Sequence, residues 1–151
     1  MPLKRHVGLQ PLSREHHHGL LLCWKIRTGL KKGIEEERIK KYADWFFKHH
    51  LLPHFEAEEK YVFPILDAED SRIKKALAQH RRLKRLFVSK KELNKNLNRI
   101  EETLEQHIRF EERSLFNAIQ SVASSEELQA LQSLHEELPF ADNLSDPFWE
   151  N

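Results

Sequence analysis

Apolar residues recur along this chain at intervals of three and four, the spacing that lays a stripe down one side of an α-helix. Short breakers separate the periodic stretches. A first helix is expected from an N-cap at Ser13 to about Thr28, followed by the loop GLKKG that Gly29 and Gly33 bracket. A second should run from near Glu35 to about Leu66, bent at Pro53, which lacks the backbone donor. Ser71 caps a third helix to about Val88. Ser89 with Glu92 has capping-box spacing for a fourth, ending near Val122. Ser124 with Glu127 repeats that spacing before a short fifth helix to about Glu137. The tail, LPFADNLSDPFWEN, reads as an irregular segment pinned by Phe140, Phe148 and Trp149. Four long amphipathic helices with short links predict an all-α fold, an antiparallel up-down four-helix bundle. No internal repeat points to a solenoid. The expected organisation is one domain over residues 1–151, with the bundle at about 12–122 and the short helix and packed tail at 124–151.

Composition narrows the function classes. The 25 Lys and Arg nearly balance 24 Asp and Glu, for a formal charge of +1. That balance favours neither nucleic acid nor an anionic membrane as partner. The basic runs Lys74-Lys75, Arg81-Arg82 and Lys84-Arg85 read as solvated helix faces. Cys23 is the single cysteine, so an internal disulfide and a cysteine zinc site are both excluded. The N-terminal residues have no apolar stretch of signal-peptide length, and the longest apolar run, Leu20 to Trp24, is too short to span a bilayer. A cytoplasmic location is expected.

Ten of the 151 residues are histidine, and helical phase shows where they point. On the third helix Ile73, Ala76, Leu77, Leu83 and Phe87 all fall within roughly 60° of His80. On the fourth, Leu97, Ile100, Leu104, Phe110 and Ala118 centre on His107. His54 shares a face with Ala43, Phe47, Tyr61 and Ile65, and His16 lies among Leu9, Leu12, Leu20 and Cys23. Each long helix therefore turns one histidine inward. Glu58 follows His54 by four residues, and Glu111 follows His107 by four, one turn on along the same face. A buried carboxylate is costly unless it is paired or bound to a metal. Imidazole nitrogen with carboxylate oxygen suits iron, manganese or zinc, whereas calcium and magnesium prefer oxygen alone. Six donors are too many for one tetrahedral ion and suit two adjacent ones, with Glu58 and Glu111 placed to bridge.

The segments LSREHHHGLLL, HLLPHFEAEEKYVFPIL, AQHRRL and HIRFEERSLF resemble the hemerythrin-like (HHE cation-binding) family over about residues 9 to 120. The resemblance implies a non-haem di-iron centre bridged by two carboxylates and an oxygen species. It assigns His54 and Glu58 to the second-helix HxxxE, His80 to the third helix and His107 to the fourth. The fourth-helix carboxylate is Glu111 or Glu112. Phase favours Glu111, because Glu112 lies about 140° from His107. In the run His16-His17-His18, His16 is preferred, His17 flanks it and His18 faces away. Oxygen-carrying members of the family have a second histidine one turn after the third-helix ligand, where this chain has Lys84. His50 or His17 is a candidate replacement, and water or an exogenous ligand is the other way to complete the site. Glu59 and Tyr61 are candidates to support the ligands from outside, with core packing the favoured role for Tyr61.

The resemblance implies two classes of function. One is a binding module that holds two iron ions, with zinc or manganese as substitutes, and binds or senses dioxygen, nitric oxide or peroxide, or buffers iron. The alternative is a di-iron enzyme with peroxidase-like or iron-repair activity. The missing fifth histidine weighs against reversible oxygen carriage. The apolar tail is a candidate contact for a homodimer.

Overall fold

The computed structural model describes residues 4–134 and 139–150; among these every regular element is a helix, and residues 139–150 are irregular. Helix α1 covers Gln10–Lys31. Helix α2, Glu36–Phe46, runs on through a widened π turn, Phe47–Leu51, into α3, Leu52–Ala57. A second π turn, Glu58–Val62, and a single 3₁₀ turn, Phe63–Ile65, complete this rod. Helix α4 is Ser71–Val88. Helix α5, Leu93–Phe110, passes through a third π turn, Glu111–Leu115, into α6, Phe116–Val122. Helix α7 is Ser125–Leu134, and the expected end near Glu137 lies outside the described residues. Four rods result, with α1 against α2 and α5, and α4 and α2 also against α5.

The irregularity expected at Pro53 is present as the π turn just before it. There the N–H of Leu52 reaches the carbonyl of Phe47, five residues back, which carries the chain past the missing proline donor without a break. Three helix ends differ from expectation. Helix α1 starts at Gln10, with Pro11 in its first turn, so Ser13 is interior and its hydroxyl donates to Glu112 at 2.8 Å. Asp70, not Ser71, caps α4 by accepting from the N–H of Arg72 at 2.8 Å. Ser89 and Glu92 form no capping box, because Glu92 adopts a left-handed φ of 46° and begins α5 with no side-chain cap. The box at Ser124 and Glu127 does form, through reciprocal bonds of 2.9 and 3.0 Å.

Gly29 also departs from its expected place in a loop, since α1 continues past it to Lys31. A Cβ at Gly29 would stand 2.7 Å from the Phe148 ring and 2.8 Å from Ile39. The helix tolerates glycine there so that the tail can lie directly on its backbone. Gly33, at φ 73°, makes the turn that ends this region.

The tail is anchored as expected. Phe148 and Trp149 are buried, and Phe140 stacks on His18 with centroids 4.0 Å apart. The buried Lys25 ammonium donates to Asp142 at 2.6 Å and to the Tyr42 hydroxyl at 2.8 Å, while Tyr42 donates to Asp142 at 2.5 Å. Lys25 also lies 4.1 Å from the centroid of Trp149. Phe148 and Trp149 are thus covered by their own chain. Buried apolar side chains form two clusters. One is built around Ile26, Phe46, Phe55, Leu83 and Ile100, the other around Leu12, Phe63, Ala76, Leu115 and Phe116.

Two outcomes test this packing. Gly to Ala inside a helix ordinarily gains up to about 1 kcal/mol. At Gly29 the collision with Phe148 and Ile39 should reverse the sign and cost about 1–3 kcal/mol. Thermal unfolding followed by circular dichroism should show the midpoint of Gly29→Ala falling by about 3–10 °C. A rise would mean the tail does not sit on α1. Burial raises the Asp142 carboxyl, but the donors Lys25 and Tyr42 outweigh it and hold the pKa below the ordinary value. Its ionised form therefore stabilises the fold above about pH 4, and this contribution is lost as pH falls through the lowered value. Asp142→Asn should lose about 2 kcal/mol at pH 7, and the gap from wild type should close towards pH 3. A gap independent of pH in urea titrations would refute the ion pair.

Candidate metal centre

His16 on α1, His54 on α3, His80 on α4 and His107 on α5 meet in the interior, together with Glu58 and Glu111 at the starts of two π turns. All six are 0–5% exposed. Both Glu residues open a turn in which the helix widens, a local device common at functional sites. Their donor atoms form two groups, each mutually within 4.8 Å: His16, His54, Glu58 and Glu111, and Glu58, His80, His107 and Glu111. Both carboxylates belong to both groups. The Nε2 atoms of His54 and His80 stand 3.3 and 3.2 Å from the two oxygens of Glu58. The Nε2 atoms of His16 and His107 stand 2.9 and 3.4 Å from the two oxygens of Glu111.

Each imidazole is fixed from behind. The Nδ1–H of His16 donates to Glu112 at 2.7 Å, that of His54 to Glu15 at 2.8 Å and that of His80 to Glu59 at 2.7 Å. His107 donates to the amide oxygen of Gln79 at 2.6 Å. Carboxylates only accept, so these partners place the proton on Nδ1 and leave Nε2 with its lone pair facing inward. Rings pack against the imidazoles from both apolar clusters, with Phe55 stacked on His80 at 3.9 Å and Phe116 on His16 at 5.3 Å.

What the inward atoms lack defines the site. The Nε2 atoms of His54, His80 and His107, both oxygens of Glu58 and one of Glu111 are buried with no hydrogen-bond partner. Six orphaned polar atoms in one interior are a steep cost unless a cation takes them. Five carboxylates, Glu15, Glu58, Glu59, Glu111 and Glu112, surround this volume, whereas Arg5 and Lys84 reach only the outer Glu112 and Glu59, at 3.4 and 3.9 Å. Without a cation, protons must serve. Burial and the charge of Glu58 push the Glu111 carboxyl up to about 8. Burial opposes charge on Glu58 too, but the neighbouring His54 holds it well below the carboxylate range. His80 is raised to about 9, its hydrogen bonds to Glu58 and Glu59 overcoming its burial. His107 goes the other way, lowered by burial and by the charge of His80. These donors fit divalent or trivalent cations of the iron, manganese or zinc type.

The remaining candidates lie outside both groups. His17 is exposed, and His18, expected to face away, turns towards the tail. His50 packs against Trp45, Phe46 and Phe140. Glu112 sits behind His16 rather than among the inward oxygens, and Lys84 reaches out to Glu59. Tyr61 takes the core-packing role, at the edge of the second cluster and over a groove beside α7. Sequence reasoning missed Glu15 and Gln79 as acceptors for His54 and His107. Their signal was weak, since an acid and an amide each adjacent to an inward histidine are ordinary on a helix flank.

A small cavity adjoins the first group. Glu15, His16, His18, Gly19, Phe46, His50, Leu51, His54, Ile108 and Phe140 line it, and its free volume of about 20 Å³ suits a molecule little larger than water. Phe140, from the tail, forms the outer wall.

A helical protein with paired His/Glu groups sharing two carboxylates is built to hold cations. Comparison with known families agrees: the hemerythrin HHE cation binding domain matches residues 7–90, and the chain belongs to that family. The match covers His16, His54, Glu58 and His80, while the fold brings His107 and Glu111 to the same point. A curated relative, a protein named DNA nickase from Nostoc sp. (strain PCC 7120 / SAG 25.82 / UTEX 2576), is 25% identical over 138 residues. The alignment takes in 83% of this chain and 37% of that protein, so the chain spans little more than a third of its length. No solved structure matches the chain.

Supporting partners such as Gln79 typically set metal affinity by factors of about 10–100. Gln79→Leu removes the acceptor that orients His107, so chelator competition should show weaker retention of one ion by about that factor. Unchanged retention would place His107 outside the ligand set.

Proposed function

We infer that the four rods form the up-down bundle of the hemerythrin type and that the protein holds two iron ions. His16 and His54 would hold one ion and His80 and His107 the other, with Glu58 and Glu111 offering an oxygen to each. The observation that carries this reading is the set of six buried donor atoms left without partners, in two groups that share both carboxylates. Bound iron supplies exchangeable electrons and an open coordination position for a small ligand.

The chain's own residues set which ligand can arrive. The cavity beside His16 and His54 has room for a diatomic molecule or a peroxide, and its walls are mainly apolar. We therefore assign the protein to binding or sensing dioxygen, nitric oxide or peroxide. Neither His17 nor His50 supplies a fifth imidazole, and Lys84 is committed to Glu59, which supports a site completed by an exogenous ligand. The DNA chemistry in the relative's name does not carry over to this centre, because donors 0–5% exposed are out of reach of a duplex phosphate.

Metal analysis of freshly purified protein should give about two irons per chain. Near-ultraviolet charge-transfer bands should bleach on reduction and return in air. Glu58→Ala and Glu111→Ala should each lower the metal content sharply, since each removes a donor from both positions. Two metals retained in both variants would sink the bridging assignment. Zinc alone, with a featureless spectrum even after anaerobic iron loading, would sink the redox reading.

A further inference from the structure

The formal charge of +1 conceals a sharp segregation. Between Ser71 and Lys91 there are nine Lys or Arg and no Asp or Glu. Elsewhere the remaining 16 cations face all 24 acids. Ion pairs accompany the cations at both ends of the molecule: Arg5 with Glu112, Arg38 with Asp146, Arg72 with Asp70 and Lys74 with Glu69. The outer face of α4 differs. Arg82 and Arg85, one turn apart on α4, and Arg99 on α5 line a single open groove with Leu86. All three are exposed, and among the described residues none forms an ion pair with a carboxylate. Arg81 on the same helix and Lys90 and Lys91 just beyond it are likewise exposed. Three guanidinium groups held around one groove without an acid repel one another and attract an anion.

We propose that this α4–α5 face is a binding site for the phosphate backbone of nucleic acid, with Arg82, Arg85 and Arg99 as its centre. The cations on α4 that form no ion pair among the described residues, Lys75, Arg81, Arg82 and Arg85, extend over about 15 Å of the helix, and Lys90 and Lys91 continue just beyond its end. A duplex presents about one negative charge per 1.7 Å of its axis, which matches an extended strip better than a single phosphate does. An anionic membrane is disfavoured by the same helix. Its apolar side chains Ile73, Ala76, Leu83 and Phe87 are spent in the core, which leaves Val88 as the large exposed apolar residue beside the strip. No base-reading element accompanies the strip, so binding is to backbone charge and independent of sequence. The site is independent of the metal reading, because Arg82 and Arg85 lie on the flank of α4 opposite His80 and Arg99 is exposed on α5, about two turns before His107.

The test is fluorescence anisotropy of a labelled 20-base-pair duplex titrated with the full chain, as purified, from about 50 to 200 mM salt. Micromolar binding at 50 mM is expected, weakening steeply with salt. The triple variant Arg82→Gln/Arg85→Gln/Arg99→Gln should bind at least tenfold more weakly, and the log–log salt slope should shrink by about 2 to 3. Arg27→Gln, on another face, should leave both unchanged. Gln79→Leu should weaken metal retention yet keep DNA binding, which separates this proposal from the metal reading. No anisotropy change up to about 100 µM protein, or a triple variant that binds as the wild type does, would overturn the proposal. Tighter capture by phosphatidylserine vesicles, or equal competition by polyglutamate, would overturn the nucleic-acid assignment.

Discussion

The structure depends on a demand for positive charge at its centre. Two carboxylates and four imidazoles lie in an interior that is otherwise aromatic and aliphatic, and most of their inward atoms have no partner in the protein. Burying such groups unpaired costs several kcal/mol each in an apolar medium, comparable with the whole stability of a domain this size. Cations convert that cost into cross-links. Every rod gives at least one donor, so whatever holds the donors together also holds the rods together. Metal and fold should then be coupled thermodynamically, as they are wherever a site forms only in the folded chain.

The outward partners make the inward geometry possible. Glu15, Glu59, Glu112 and Gln79 each take one Nδ1–H, which fixes both the tautomer and the ring plane. The two apolar clusters then clamp those rings by stacking, as Phe55 and Phe63 do on the faces of His80. The π turns at Glu58 and Glu111 have a related purpose. A regular helix would place each Glu about 40° from its histidine. Widening the turn at the Glu lets the rest of the rod keep its apolar face inward while the carboxylate stays at the shared centre.

Much of this was legible in the sequence because it obeys one rule, the 3.6-residue period. The rods and the inward direction of His16, His54, His80 and His107 follow from phase, and the HxxxE spacing puts Glu58 and Glu111 on the same faces. What escaped was anything that breaks the period or crosses between helices. The π turns could be anticipated only at Pro53, where a donor is missing. Tyr61 lies in such a turn and takes the core-packing role. Ser13 and Gly29 look like helix ends locally, yet both are interior: Ser13 serves Glu112 and Gly29 admits Phe148. Gln79 and Glu15 became significant only when the fold set them behind histidines of other rods.

Charge was legible only as an average over the chain, which does not show how it is distributed among the faces of the fold. A net charge near zero describes the solution behaviour of the whole molecule, whereas a polyanion meets one face at a time and within about 8 Å at physiological salt. Helix α4 shows why the distinction matters. Its inner side gives His80 to the buried centre, and its outer side carries unpaired arginines. A single helix can serve both, since residues about 140–200° apart in phase share no environment. The donors at the centre are buried, whereas the guanidiniums of Arg82 and Arg85 face solvent. A substitution on one face therefore leaves the residues of the other in place.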